Sequence, residues 1–168
     1  VIASNLKFEG RAFINGKYVN SIDGETFETI NPATGEVLCT VAKCNSKDVD
    51  LAVKSSRKSF ESGTWSRSTP EHRKEVLLKF AKLLSKEGEE NSVLESVDTG
   101  KLIVDCINEV ANDAPMHFQW YGELIDKVFG KVGPTDPSIT SLVVKEPIGV
   151  VAGVVPWNFP LMMAVWKM

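Results

Sequence analysis

Apolar and polar positions along the chain predict a β-rich beginning, a helical middle and an apolar close. Ala12-Phe13-Ile14 and Lys17-Tyr18-Val19 flank Asn15-Gly16, and both turn residues tolerate positive φ, so this stretch predicts a tight hairpin. Thr26-Phe27-Glu28-Thr29-Ile30 alternates as a strand, turns through Asn31-Pro32 and Thr34-Gly35, and resumes as Val37-Leu38-Cys39-Thr40-Val41. Together these predict a small antiparallel β layer, whereas residues 1–10 carry no usable pattern.

Four helical patterns follow. Ser46 is placed to cap the first, with Asp48 in its first turn and Val49, Ala52, Val53 and Phe60 on one face before Gly63. Thr69 caps the second and Pro70 takes its first position, with Val76, Leu77, Phe80, Leu83 and Leu84 as the apolar stripe up to Gly88. A short third helix over residues 89–97 ends at Asp98-Thr99-Gly100. From Leu102 a longer pattern places Ile103, Ile107, Val110 and Ala114 on one face; Pro115 is expected to kink it or restart it, and Phe118, Tyr121, Leu124, Ile125 and Val128 continue toward Gly130. Gly133-Pro134-Thr135-Asp136-Pro137-Ser138 is the clearest break, followed by a strand over residues 139–145.

The final stretch carries no charge from Pro147 to Trp166, and its one side-chain amide is Asn158, in Val154-Val155-Pro156-Trp157-Asn158-Phe159-Pro160. Residues 148–155 predict a strand buried on both faces, stopped by Pro156. Pro160 suits a helix start, so residues 161–168 read as helical. Asn158 then lies where a strand's carboxyl end leads into a helix, the place where open α/β sheets put their ligands. Two plainer readings stand beside this one. The uncharged run has the length of a membrane span, but Pro156 and Pro160 interrupt it and no flanking charge cluster orients it. Asn158 could also serve only as a helix cap.

Composition narrows the classes. The 168 residues are 43% hydrophobic and 24% charged, ordinary for a globular chain with one core. A net charge of −3 provides no basic stripe for nucleic acid. The start of the chain lacks a charged segment followed by an apolar core, so a cytoplasmic setting is expected, with no membrane partner. Cys39, Cys44 and Cys106 are odd in number and lack CxxC spacing, which argues for reduced thiols over a disulfide framework or zinc site.

Glu146-Pro147-Ile148-Gly149-Val150, Pro156-Trp157-Asn158-Phe159-Pro160 and Trp166-Lys167 resemble the aldehyde dehydrogenase superfamily. Phe13-Ile14-Asn15-Gly16, Asn31-Pro32-Ala33-Thr34-Gly35-Glu36 and Asp98-Thr99-Gly100-Lys101 resemble it in the same order. The chain is most similar in feel to the branch that handles γ-aminoaldehydes and betaine aldehyde. The resemblance implies an α/β, aldehyde dehydrogenase-like fold: the amino-terminal part of a Rossmann-like NAD-binding domain, with a small antiparallel β layer and helices. It implies three segments: residues 1–130 as β layer and helices, 131–146 as a β-element of the oligomerisation type, and 147–168 as the first parallel strand and the start of the next helix.

It further implies oxidation of a small-molecule aldehyde to the acid with NAD, or NADP, as acceptor, in a homo-oligomer. Asn158 matches the amide that stabilises the developing oxyanion, a role that acts mainly in the transition state. Val154, Val155, Pro156 and Trp157 match the strand end along which NAD lies. Phe159, Met163 and Trp166 match positions lining the aldehyde tunnel, the last two on one helical face. Thr29, Ile30 and Asp98 match the oxygen donors of a monovalent cation. Asp113 matches a position at the aldehyde entrance, with Glu109 one helical turn before it, and two carboxylates there would favour a cationic substrate.

The family's Gly-rich phosphate turn, glutamate base and cysteine nucleophile belong further along than Met168, and none of the three cysteines matches the nucleophile. The expectation is therefore an amino-terminal piece of the enzyme, inactive alone. The alternative is a naturally short, non-catalytic chain that keeps the oligomerisation and scaffold parts.

Overall fold

The structure, a computed structural model, describes residues 6–168; residues 1–5, which the reading of the N-terminus includes, lie outside the described residues. The opening hairpin forms as expected. β1 (Ala12–Ile14) pairs antiparallel with β2 (Lys17–Val19), with Phe13 opposite Tyr18. Asn15 and Gly16 take φ of 54° and 74°, the left-handed turn that glycine enters for want of a Cβ and that asparagine tolerates through its short polar side chain. β3 (Thr26–Ile30) pairs antiparallel with β4 (Val37–Ala42), with an irregularity between Thr29 and Ile30. The two hairpins are separate two-stranded sheets rather than one layer.

Helix α1 (Ser46–Ser62) starts one residue earlier in its capping than the sequence suggested. Asn45, not Ser46, is the cap: its side chain accepts from Lys47 N–H, and Asp48 accepts from Asn45 N–H, a reciprocal capping box. Asp48 is buried and its other oxygen accepts from Ile22 N–H at 2.9 Å, stitching the loop after β2 onto α1. The face carrying Val49 and Val53 stays exposed, because α1 leans on β1 and not on the main helical cluster.

α2 (Pro70–Lys86) begins as predicted, with the Thr69 side chain accepting from His72 N–H and Pro70 at the first position. α3 (Gly88–Thr99) ends at Gly100 in the left-handed conformation. The next stretch departs from the simple helical pattern: α4 (Ile103–Cys106) passes into a π-helical turn over Ile107–Asp113 and then α5 (Ala114–Leu124). Cys106, Val110, Ala114 and Phe118 are buried, each four residues from the last, as are Pro115 and Gly122, while Ile103 and Ile107 are exposed. An α-helix turns every 3.6 residues, so strict four-residue spacing would rotate off one face by about 40° per step. The wider π turn takes up that drift. It also explains why Pro115 does not break the helix: Ala114 N–H already bonds five residues back to Glu109 O, so the turn before the proline is no longer in the register its ring would obstruct.

The core forms where three helices meet. Ala81 and Leu84 of α2, Ala114 and Phe118 of α5, and Met162 and Val165 of α6 (Pro160–Val165) are buried together, with Leu77, Leu161 and Met163 packed around them. Phe80 meets Phe118 edge-on at 4.8 Å between ring centroids. Of the stripe expected on α2, Val76, Phe80 and Leu83 remain largely exposed.

Past α5 the chain makes a short 3-10 turn and a hairpin of β5 (Lys131–Gly133) with β6 (Ser141–Val143), within the strand expected over 139–145. Residues 148–155 are not a strand here. Ile148 is 92% and Val154 84% exposed, and every described sheet is a two-stranded antiparallel pair. An extended apolar run becomes a strand only where a neighbour takes its N–H and C=O groups, and no described strand lies beside this one. Helix α6 closes at Val165 instead of running to residue 168. Among the described residues no helix is long and apolar enough to cross a membrane.

Candidate active site

The short helix α6 is held by what it buries. Met162 and Val165 reach into the core between α2 and α5, and Met163 N–H bonds to Phe159 O to close the first turn. Phe159 occupies the cap position without a side-chain cap bond. Asn158, one residue earlier, is exposed and its side chain makes no hydrogen bond among the described residues. The capping role that the sequence left open is therefore not the one the structure shows. A polar side chain sits uncommitted on a turn anchored from behind.

Beneath that turn lies Lys101. Gly100 has φ of 77°, and a Cβ there would stand 2.8 Å from Pro32 Cγ, so only glycine lets the Asn31–Glu36 turn approach the Asp98–Lys101 turn. Lys101 is fixed along its length: its carbonyl accepts from Ser96 Oγ at 2.7 Å and its N–H donates to Thr99 Oγ1 at 3.2 Å. Its Nζ donates to Glu95 Oε1 at 2.8 Å and to Glu109 Oε2, and lies 4.1 Å from the centroid of the Phe159 ring. Burial opposes the charge on Lys101, but the hydrogen bonds to Glu109 and Glu95 outweigh it and raise its pKa above the ordinary lysine value.

The predicted site residues divide into those brought together and those left apart. Thr29 Oγ1 donates to Asp98 Oδ1 at 2.9 Å, joining two of the three proposed cation ligands, with Ile30 next in the strand. Val154, Val155 and Pro156 are exposed and outside any described sheet, and Trp157, also exposed, opens the turn that leads into α6. Phe159 lies against Lys101, Met163 packs on the core, and Trp166 stands 5.8 Å from His117 between ring centroids. Asp113 is half-buried, and its carbonyl accepts from His117 Nδ1 at 2.8 Å, which makes Nδ1 the protonated ring nitrogen. Glu109 sits in the π turn and is paired with Lys101, so it is not a second free carboxylate beside Asp113. A cavity of about 350 Å³ opens beside Trp65, His117, Tyr121 and Trp166.

The three cysteines are free. Burial pushes the Cys39 thiol up, helped by the Asp98 charge, and burial likewise raises Cys106, helped by Glu95. Neither is an activated thiolate. Among the described residues no group of three or more His, Cys, Asp or Glu is placed to hold a metal ion.

The Aldehyde dehydrogenase family matches residues 18–168. This chain belongs to the aldehyde dehydrogenase family. It is 43% identical over 166 residues to the NADP/NAD-dependent aldehyde dehydrogenase PuuC of Escherichia coli (strain K12), covering 99% of this chain and 34% of that protein. It is 45% identical over 166 residues to the aminoacetaldehyde dehydrogenase of Pseudomonas aeruginosa, again covering 99% and 34%. Its fold superposes on the solved aldehyde dehydrogenase KauB from Pseudomonas aeruginosa with a TM-score of 0.95 at 45% identity, covering 98% of this chain and 33% of that one. The chain thus spans about one third of the length of these aldehyde dehydrogenase relatives. The α/β aldehyde dehydrogenase fold expected from the sequence is shown by these matches.

Sequence reasoning overlooked Lys101 and His117 as individual residues. Glu95 and Glu109 lie six and eight positions from Lys101, outside helical spacing, so no local signal joined them. His117 could have been noticed four residues after Asp113 on the same helical path.

Proposed function

We propose that this chain is the amino-terminal part of an enzyme that oxidises an aldehyde to the carboxylic acid with NAD, or NADP, as acceptor. The observation that carries the reading is Asn158: exposed, without a hydrogen-bond partner among the described residues, and held on a turn whose helix is anchored in the core. An amide N–H aimed at the carbonyl oxygen costs no reorganisation when a nucleophile adds and negative charge grows on that oxygen. We assign the nucleophile to the rest of the enzyme: Cys39, half-buried, and Cys106, buried, both have raised thiol pKa, and exposed Cys44 lies in the loop before α1, away from Asn158 in sequence and outside the core.

The run Val154, Val155, Pro156 and Trp157 fits a cofactor that is bound through backbone groups, since no described sheet uses its backbone hydrogen-bonding groups. Bound there, the nicotinamide group supplies the hydride acceptor. Phe159, Met163 and Trp166 line the aldehyde's approach, and Asp113 faces its far end, with a γ-aminoaldehyde as the favoured class. The names of the aminoacetaldehyde dehydrogenase and a solved γ-glutamyl-γ-aminobutyraldehyde dehydrogenase support an aminoaldehyde. Thr29, Ile30 and Asp98 offer hard oxygen donors suited to a monovalent cation, supported by the Thr29–Asp98 contact. The β5–β6 hairpin, with Val132 and Leu142 exposed, is the surface we assign to a second copy of the enzyme. The setting is cytoplasmic, in keeping with three free thiols.

The test is direct: the whole enzyme, expressed with its native remaining sequence, should form one NADH per acid produced from an aminoaldehyde. Residues 1–168 alone should form none. NADH production by the isolated chain that is lost on replacing Cys39, Cys44 or Cys106 would overturn the reading.

A further inference from the structure

Lys101 and Asn158 belong to separate parts of the chain, and the contact that joins them is a ring. The Lys101 ammonium is gripped by Glu95 of α3 and Glu109 of the π turn, and it sits 4.1 Å from the centroid of Phe159, the residue after Asn158. Its side chain is only 15% exposed and that of Glu95 6%, so both the charge pairs and the cation–π contact lie in a weakly screened setting. Its backbone is held as well, by Ser96 and Thr99. Asn158 has no comparable restraint of its own.

We propose that Lys101 is a positioning residue for the reaction: through the face of Phe159 it fixes the turn that aims the Asn158 amide. The proposal rests on the role of Asn158 given above. Glu95 and Glu109 serve by holding the ammonium under the ring, and the π turn serves by carrying Glu109 to it. Lys101, Glu95 and Glu109 themselves neither transfer a proton nor touch the aldehyde. What it sets is the direction of a donor whose value depends on its aim.

In the whole enzyme, K101M should lower kcat about tenfold, the scale of losing one desolvated cation–π contact at a transition state, while KM and NAD affinity stay within about twofold. K101R keeps a cation that stacks on an aromatic face and should retain most of kcat. Because K101M strands two carboxylates, the variant E95Q/K101M/E109Q is the decisive control. It removes the stranded charges, so its thermal midpoint should recover toward wild type while kcat stays low. K101M combined with F159L should fall no further than F159L alone, because both remove the same contact.

Recovery of kcat in the triple variant would overturn the proposal, leaving Lys101 as a structural ion pair. So would normal kcat in K101M, or losses in K101M and F159L that simply add. An inactive wild-type enzyme overturns both readings, whereas an active enzyme that is impaired by N158A and indifferent to K101M overturns this one alone.

Discussion

Replacing Asn158 by alanine in the whole enzyme separates catalysis from folding at one residue. The side chain is exposed, caps nothing and makes no hydrogen bond among the described residues, so its removal should leave stability within about 0.5 kcal/mol, the usual range for an uncommitted surface position. The helix behind it is anchored by Met162 and Val165 and stays in place. Turnover should nevertheless fall by about 10²–10³, or about 2.7–4 kcal/mol of transition-state stabilisation, the range for deleting one oxyanion donor. The assay pairs steady-state NADH formation with thermal unfolding and a titration of NAD binding. Both kcat and kcat/KM should fall in equal measure, with KM, NAD affinity and the unfolding midpoint close to wild type. Normal turnover would refute it. A fall in turnover that tracked a fall in unfolding midpoint would refute it equally, because that is how a structural residue behaves.

Asp113→Asn should raise KM for a γ-aminoaldehyde by about two- to fivefold and spare an uncharged aldehyde of equal length, since one partly screened charge is involved and Glu109 is already paired; equal effects on both substrates would remove the electrostatic argument. Asp48→Ala should cost about 3 kcal/mol in denaturant unfolding, because both Asn45 and Ile22 lose a carboxylate acceptor in a buried setting. An unchanged midpoint would mean those N–H groups find other partners. The Lys127 and Lys74 ammonium groups hold the Asp126 carboxyl down at about 2. A depressed carboxylate stabilises the fold above its unfolded value, and that contribution fades as pH falls from about 4 through about 2. Lys74→Met should therefore move the Asp126 titration midpoint upward by NMR, and no movement would show that Lys127 alone sets it.

Local chemistry was enough to read much of this protein from its residues. Asn15-Gly16 makes its hairpin because those two residues alone tolerate the left-handed turn. Thr69-Pro70 starts α2 and Gly100 ends α3 for reasons contained within a few residues of each. The short motifs around Asn31, Asp98 and Asn158 were legible as a family, and with the family came the candidate site.

What local pattern could not decide was anything that depends on a distant partner. Residues 148–155 have the composition of a buried strand, yet strand formation needs a neighbour's hydrogen bonds, which composition does not supply. The Ile103–Ile107 face looked like the core side of a helix, but packing of α4 and the π turn on α3, and of Ala114 and Phe118 against α2 and α6, selected Cys106, Val110, Ala114 and Phe118, and the widened turn keeps them aligned. Most of all, the place of Lys101 between Glu95, Glu109 and Phe159 is a tertiary fact. Charges attract through space, not along the chain, so only the folded arrangement of α3, the π turn and the Asn158 loop could bring those four side chains together.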